Sequence, residues 1–135
     1  MGAWGFGNFE NDDALDWLFE LESSEDLSAV EGAITAATTA DGEELDVYIG
    51  ARALAAAEVV AALRGQAADD LPDEVTIWLE GKTPPSEDLE AAARDAVMAV
   101  ASASELAELW EETEEDDFAA WRSIQDDLIS RLSAS

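Results

Sequence analysis

Neither cysteine nor histidine occurs in this 135-residue sequence, and its only lysine is Lys82. Without cysteine the chain forms no disulfide bond and no thiolate metal site. The two absences also exclude catalysis by Cys–His or Ser–His pairs and zinc hydrolysis through histidine. Among catalytic options, the composition leaves acid–base chemistry by carboxylates or Mg²⁺ held by carboxylates.

Long hydrophobic runs are missing as well. The longest apolar stretch extends from Ala53 to Leu63, consists mainly of alanine and is interrupted by Glu58. A membrane-spanning helix needs about 20 consecutive apolar residues. The sequence also does not open on a basic segment followed by an apolar one, as a secretory signal does. We therefore expect a cytoplasmic protein without a transmembrane segment.

Positive charge is scarce, because 33 Asp and Glu residues face six Lys and Arg residues, for a net charge of -27. A folded chain of 14.4 kDa exposes roughly 6,800 Å², or about 250 Å² for each net charge. B-DNA carries one charge per about 110 Å² of its surface. A face on which the acids cluster thus approaches the charge density of a nucleic acid. Nucleic acids and anionic membranes are repelled, and a basic protein or cations are attracted.

The hydrophobic content is 48%, which is typical of a folded domain rather than an acidic disordered tail. Helix signals recur along the chain. Asn11 predicts the start of a first helix that runs to about Glu22, and Ser86 and Ser104 predict two later starts. Only a brief stretch alternates with the period of a β-strand. We predict an all-α protein, a single compact domain over residues 1–135 with about seven helices.

The central helix of this fold is predicted to be rich in alanine. Asp41 and Glu44 resemble a capping box that opens it, and Gly65 is suited to end it. Glu58 lies in its most apolar part, where an unpaired carboxylate would cost several kcal/mol. We therefore predict that Glu58 is buried and paired with an arginine of a neighbouring helix, Arg94 or Arg122. A general-base role for Glu58 is the alternative.

Two acidic runs, residues 10–26 and 105–117, contain aromatic residues among their carboxylates. If the runs lie side by side, an aromatic anchor within an acidic rim would suit a basic protein. A solvated surface is the alternative interpretation. The same acids could instead offer oxygens to Mg²⁺. The candidate binding residues are Asp12, Asp13, Asp16, Trp17, Glu105, Glu108, Trp110 and Glu112.

The N-terminal segment is the least generic part of the sequence. The sequence opens with the pattern MGAWGxGxFxNDDAxDWL, and the part of it before the first helix contains Trp4, Gly5, Gly7, Phe9 and Asn11. We predict that Trp4 is buried there as a plug of the core. This pattern resembles the start of a family of small bacterial proteins known as domain of unknown function 4259. The resemblance extends over nearly the whole chain and implies a single compact domain, but it implies no activity.

These observations favour a non-enzymatic binding module for a basic protein partner, such as an immunity-type inhibitor or a nucleic-acid mimic. We expect no cofactor, no metal and no direct contact with nucleic acid or membrane. One alternative is a Mg²⁺-dependent phosphohydrolase that uses carboxylates on its helices. Another is a protein whose acidity reflects a salt-rich cytoplasm and selects no partner.

Overall fold

The computed structural model describes residues 7–24, 26–40, 45–68 and 71–133. Within these ranges the chain forms seven α-helices and no β-strand, which confirms the predicted all-α class. The helices are α1 (Asp12–Ser23), α2 (Ser28–Thr39), α3 (Val47–Leu63), α4 (Asp73–Leu79), α5 (Glu87–Ala103), α6 (Glu105–Glu111) and α7 (Glu115–Ser133).

Three helices begin at the residues that the sequence predicts. The side-chain oxygen of Asn11 accepts a hydrogen bond from the backbone N–H of Ala14 at 2.8 Å, at the start of α1. The hydroxyl of Ser86 likewise accepts a backbone N–H at the start of α5, at 3.1 Å, and the hydroxyl of Ser104 accepts one at the start of α6, at 3.0 Å. Each cap satisfies a backbone donor that has no partner within its helix.

The start of α3 differs from the prediction. The helix begins at Val47, where the carboxylate of Asp46 accepts from the N–H of Ile49 at 2.9 Å. Asp46 has an extended backbone, so the helix does not continue toward residue 41. The predicted opening at Asp41 and Glu44 is therefore wrong in position, and both residues lie outside the described ranges.

The end of α3 follows the sequence signal. Gly65 has a φ of 86°, a left-handed conformation that glycine adopts without steric cost. The N–H of Gln66 donates to the carbonyl of Ala61 at 2.8 Å, and that of Gly65 donates to Ala62 at 3.0 Å. These two bonds form a Schellman motif, which ends the helix and turns the chain away.

The core is built around α3, which is buried along most of its length. α2 and α5 are its main neighbours, and α1, α4, α6 and α7 pack around the same centre. Alanine and glycine on α3 allow close approach, since a Cβ added to Gly50 would lie 3.4 Å from Cγ1 of Val100 on α5. The seven helices thus share one core and form a single compact domain.

Tryptophans join the peripheral helices to this core. Trp110 of α6 stacks on Trp121 of α7, with ring centroids 6.1 Å apart, and Phe118 extends the stack. Trp78 of α4 donates from its indole N–H to the carbonyl of Ser24 at 2.9 Å. This bond fixes α4 beside the end of α1, and a surface groove lies between these two helices.

Candidate functional site

Glu58 of α3 is the charged residue most deeply placed in the core, with an exposed fraction of 3%. Its Oε1 accepts from Nη1 of Arg131 at 2.8 Å, and its Oε2 accepts from Nη2 of Arg131 at 3.3 Å. Oε2 also accepts from Nδ2 of Asn8 at 2.9 Å. Both carboxylate oxygens are therefore engaged, which favours a structural ion pair over a general base.

The predicted burial and pairing of Glu58 are confirmed, but the predicted partner is wrong. The arginine comes from α7 and is Arg131, whereas Arg94 donates to the carbonyl of Leu132 and Arg122 donates to that of Ala101. Helix packing explains the difference. The last turn of α7 packs beside the C-terminal half of α3, where Arg131 reaches Glu58 and Arg64 reaches the carbonyl of Arg131, and position 122 lies more than two turns earlier on α7.

Arg131 is held by more than Glu58. Its Nε donates to Oδ2 of Asp127 at 2.8 Å, and its Nη1 donates to the carbonyl of Gln66 at 3.1 Å. Burial lowers the pKa of Arg131, but the hydrogen bonds and charges of Glu58 and Asp127 outweigh it and raise the pKa above its ordinary value. The guanidinium is thus a fixed positive charge inside the fold.

The network also ties down the segment that precedes α1. Oδ1 of Asn8 accepts from Nε2 of Gln125 at 2.9 Å, so Asn8 bridges α7 and Glu58. Asn8 and Phe9 are buried in a turn closed by a bond from the N–H of Glu10 to the carbonyl of Gly7. A cleft of about 310 Å³ opens beside these groups. Trp4 and Gly5, named in the same motif, lie outside the described residues.

Two more arginines gather at the C-terminal end of α7. Arg64 donates to the carbonyl of Arg131, and Arg94 donates to the carbonyl of Leu132 at 3.2 Å. Arg64 also pairs with Glu90 at 2.9 Å. Carbonyls in the last turn of a helix have no partner within it and carry partial negative charge. Arg64 and Arg94 therefore bind carbonyls at the end of α7, and together with Arg131 of the last turn they place three of the six cations at this helix end.

The remaining cations are also engaged within the protein. Arg52 pairs with Glu20 and lies over the ring of Tyr48, 4.7 Å from its centroid. Arg122 lies 3.6 Å from Asp126, and the ammonium of Lys82 lies 4.5 Å from the ring centroid of Trp78. Every Lys and Arg residue of the sequence thus has a partner in the described structure, while most acids of α1 and α6 face solvent.

The structure separates the predicted surface residues into two kinds. Asp12, Asp16, Glu105, Glu108 and Glu112 are exposed, and Asp13 is half-buried. Trp17 and Trp110, predicted as anchors for a partner, have exposed fractions of only 1% and 7%. That role is a wrong prediction, because both indoles fill the core and no partner can reach them.

The two acidic runs belong to different groups of helices. α1 packs against α2, α3 and α4, whereas α6 packs against α3, α5 and α7. Glu105 also has a structural contact, since its carboxylate accepts from the N–H of Val47 at 3.3 Å. The runs therefore form two acidic areas, one on α1 with α4 and one on α6 with the start of α7.

The acidic area on α1 contains a groove, which we call the Phe19 groove. It lies between α1 and α4 and has a volume of about 710 Å³. Phe19 is one of its lining residues and has an exposed fraction of 70%. Its lining consists of three apolar residues, Leu15, Leu18 and Phe19, and four acidic ones, Asp12, Asp16, Glu22 and Glu74.

Sequence reasoning selected Asp12 and Asp16 and counted Phe19 among the aromatic residues of the first acidic run, but it missed Leu15 and Glu74. A signal for part of this surface was present, because residues 12, 15, 16, 19 and 22 follow the spacing of one helix face. This face is separate from the stripe that α1 buries, which contains Ala14, Trp17, Leu18 and Leu21. The contribution of Glu74 depends on how α4 packs and has no signal in the sequence.

In the ranges that the structure describes, no three carboxylates are grouped so that they could hold a metal ion. No helix in those ranges has both the length and the apolar character needed to cross a membrane.

Comparison with known proteins identifies the family. Residues 2–123 match the model of the family described as domain of unknown function (DUF4259). The residues that the structure describes thus form a helical domain with an Ala-rich central helix and a buried Asn8–Glu58–Arg131 network. The chain belongs to the DUF4259 family. No curated protein and no solved structure matches it.

Proposed function

We propose that this protein is a non-enzymatic binding module for a basic protein partner. The observation that supports the proposal is the distribution of charge. All six cations have partners within the protein, three of them at the end of α7, whereas the acids of the two acidic areas remain on the surface. The positive groups therefore do little to offset the negative surface that an approaching molecule meets.

The magnitude of the charge favours a protein ligand. A net charge of -27 over 7013 Å² of surface is about 260 Å² per net charge. Such surfaces repel nucleic acids and anionic membranes, and they accelerate association with a basic protein. Immunity-type inhibition of a cationic toxin and mimicry of a nucleic acid are two forms of this function. The cytoplasm, which the sequence favours, is the compartment that the proposal assumes.

A pull-down with a charge-matched control tests this function. The immobilised protein and immobilised polyglutamate are exposed to host lysate at about 0.15 M salt, and retained proteins are identified by mass. We expect a basic protein that the chain retains and polyglutamate does not. Its purified form should bind the chain at 1:1 stoichiometry and dissociate in high salt.

Neutral variants then test the role of charge. One combines Asp12→Asn, Asp13→Asn and Asp16→Asn, and the other combines Glu105→Gln, Glu108→Gln and Glu112→Gln. We expect at least one set to weaken binding of the purified partner by about tenfold or more. If lysate yields only proteins that polyglutamate also retains, the acidity selects no partner and the proposal is wrong.

A further inference from the structure

The Phe19 groove has an apolar floor that the fold itself does not use. Leu15 and Phe19 lie one turn apart on α1, and both are exposed. Ile77 of α4, one turn beyond Glu74, is exposed as well. Exposed patches of large apolar side chains often mark a surface that binds another molecule, particularly when polar residues surround the patch.

The charge around this floor determines that an occupant of the groove must carry positive charge. Four carboxylates line the groove, and none of the lining residues is basic. Lys82 follows α4 in the sequence, but it packs over the ring of Trp78. An occupant therefore needs apolar groups for Leu15 and Phe19 and cationic groups for the surrounding acids.

The walls of the groove favour a helical occupant. α1 and α4 satisfy most of their backbone hydrogen bonds internally, so an extended peptide would find no sheet edge to pair with. A helix brings its own satisfied backbone and needs only side-chain contacts. The 12 residues of α1 span about 18 Å, which matches about three turns of a partner helix.

From these observations we infer that the Phe19 groove binds a basic amphipathic helix of the protein partner, with an apolar stripe against Phe19 and Lys or Arg on both sides. This inference rests on the proposed function and localises it. A second copy of the chain is a poorer occupant, because it would bring another 27 net negative charges toward the same carboxylates.

Synthetic peptides of 16 residues test the inference directly. The first carries leucines at helical spacing on one face and lysines elsewhere. The second has the same composition in shuffled order, and the third has glutamate in place of lysine. Binding is measured by fluorescence anisotropy at about 0.15 M salt. We expect the first peptide to bind at least tenfold more tightly than the second, and the third not to bind.

Two matched variants locate the binding. Phe19→Ser should weaken binding of the first peptide at least tenfold while the melting temperature stays nearly unchanged, since the side chain is 70% exposed. Met98→Ser, on α5, removes another exposed apolar side chain, with an exposed fraction of 52%, and should leave binding unchanged. Glu74→Gln with Asp16→Asn should weaken binding severalfold and reduce its salt dependence.

The outcomes separate this inference from the proposed function. If Phe19→Ser binds as the unchanged protein does, or if shuffled and amphipathic peptides bind equally, the groove is not the binding surface. The proposed function still stands in that case if the partner from lysate is confirmed. If sedimentation shows a dimer that Phe19→Ser converts to a monomer, a second copy is the occupant and the inference is wrong.

Discussion

The arrangement around Glu58 shows how one residue can join distant parts of this chain. A carboxylate inside an Ala-rich helix is unstable unless donors surround it. Arg131 supplies two hydrogen bonds and Asn8 supplies a third. Because the pKa of Arg131 is raised above that of an unfolded arginine, the stabilisation that its positive charge provides is fully present at any pH below the unfolded pKa. This contribution would be lost only as the pH rises through the higher pKa of the folded state.

Replacement of Glu58 tests the importance of this pair. We expect Glu58→Ala to lower the free energy of unfolding by about 3 to 5 kcal/mol, because it leaves Arg131 buried without its main partner. Asp126→Ala is the control, since it removes the carboxylate of an exposed ion pair, that with Arg122, and should cost about 1 kcal/mol or less. Urea unfolding measures both. Equal losses for the two variants would show that the buried pair has no special role.

At the scale of helices, capping residues and glycines define several of the boundaries. Asn11, Ser86 and Ser104 each accept a backbone N–H at a helix start. Gly65 ends α3 in a left-handed conformation, whereas Gly32 lies on the exposed side of α2 with no atom near an added Cβ. Gly65 therefore favours the end of α3, whereas Gly32 only lowers the helix propensity of α2.

Alanine substitutions should separate these two roles. Gly32→Ala should raise the free energy of unfolding by about 0.5 to 1 kcal/mol, because alanine has the higher helix propensity. Gly65→Ala should lower it by about 1 kcal/mol, because a Cβ is strained at positive φ. Thermal unfolding followed by circular dichroism measures both. A destabilised Gly32→Ala variant would mean that α2 packs differently from the structure described.

The whole molecule is governed by its net charge of -27. Repulsion of this size opposes the compact state, and dissolved ions screen it over about 8 to 10 Å at ordinary ionic strength. In the part of the chain that the structure describes, ion pairs engage Glu20, Glu58, Glu90, Asp126 and Asp127, which are a small part of the 33 acids. The melting temperature should therefore rise as the salt concentration rises.

Sodium and magnesium chloride at matched ionic strength distinguish screening from a metal site. Both should raise the melting temperature to a similar extent. A magnesium site in the folded state would add about 2.7 kcal/mol at a hundredfold excess over Kd, an increment that sodium does not provide. A saturable increment at millimolar Mg²⁺, abolished by Glu108→Gln with Glu112→Gln or by Asp12→Asn with Asp16→Asn, would favour the phosphohydrolase alternative.

The sequence by itself determined the helical class, most helix ends and the acidic character of the surface. These features depend on charges and on residues within about one turn of each other, so neighbours along the chain suffice to predict them. It also indicated that Glu58 is buried and paired. Cap choice was the local exception, because Asp46 rather than Asp41 begins α3.

Only the tertiary structure decided which residues meet across helices. The sequence led to Arg94 or Arg122 as the predicted partner of Glu58, whereas the packing of the last turn of α7 against α3 brings Arg131 to it. Packing also buried Trp17 and Trp110, left Phe19 exposed and brought Glu74 to the groove. Such contacts depend on crossing angles and on the register of packed side chains along each helix, which many distant residues determine together.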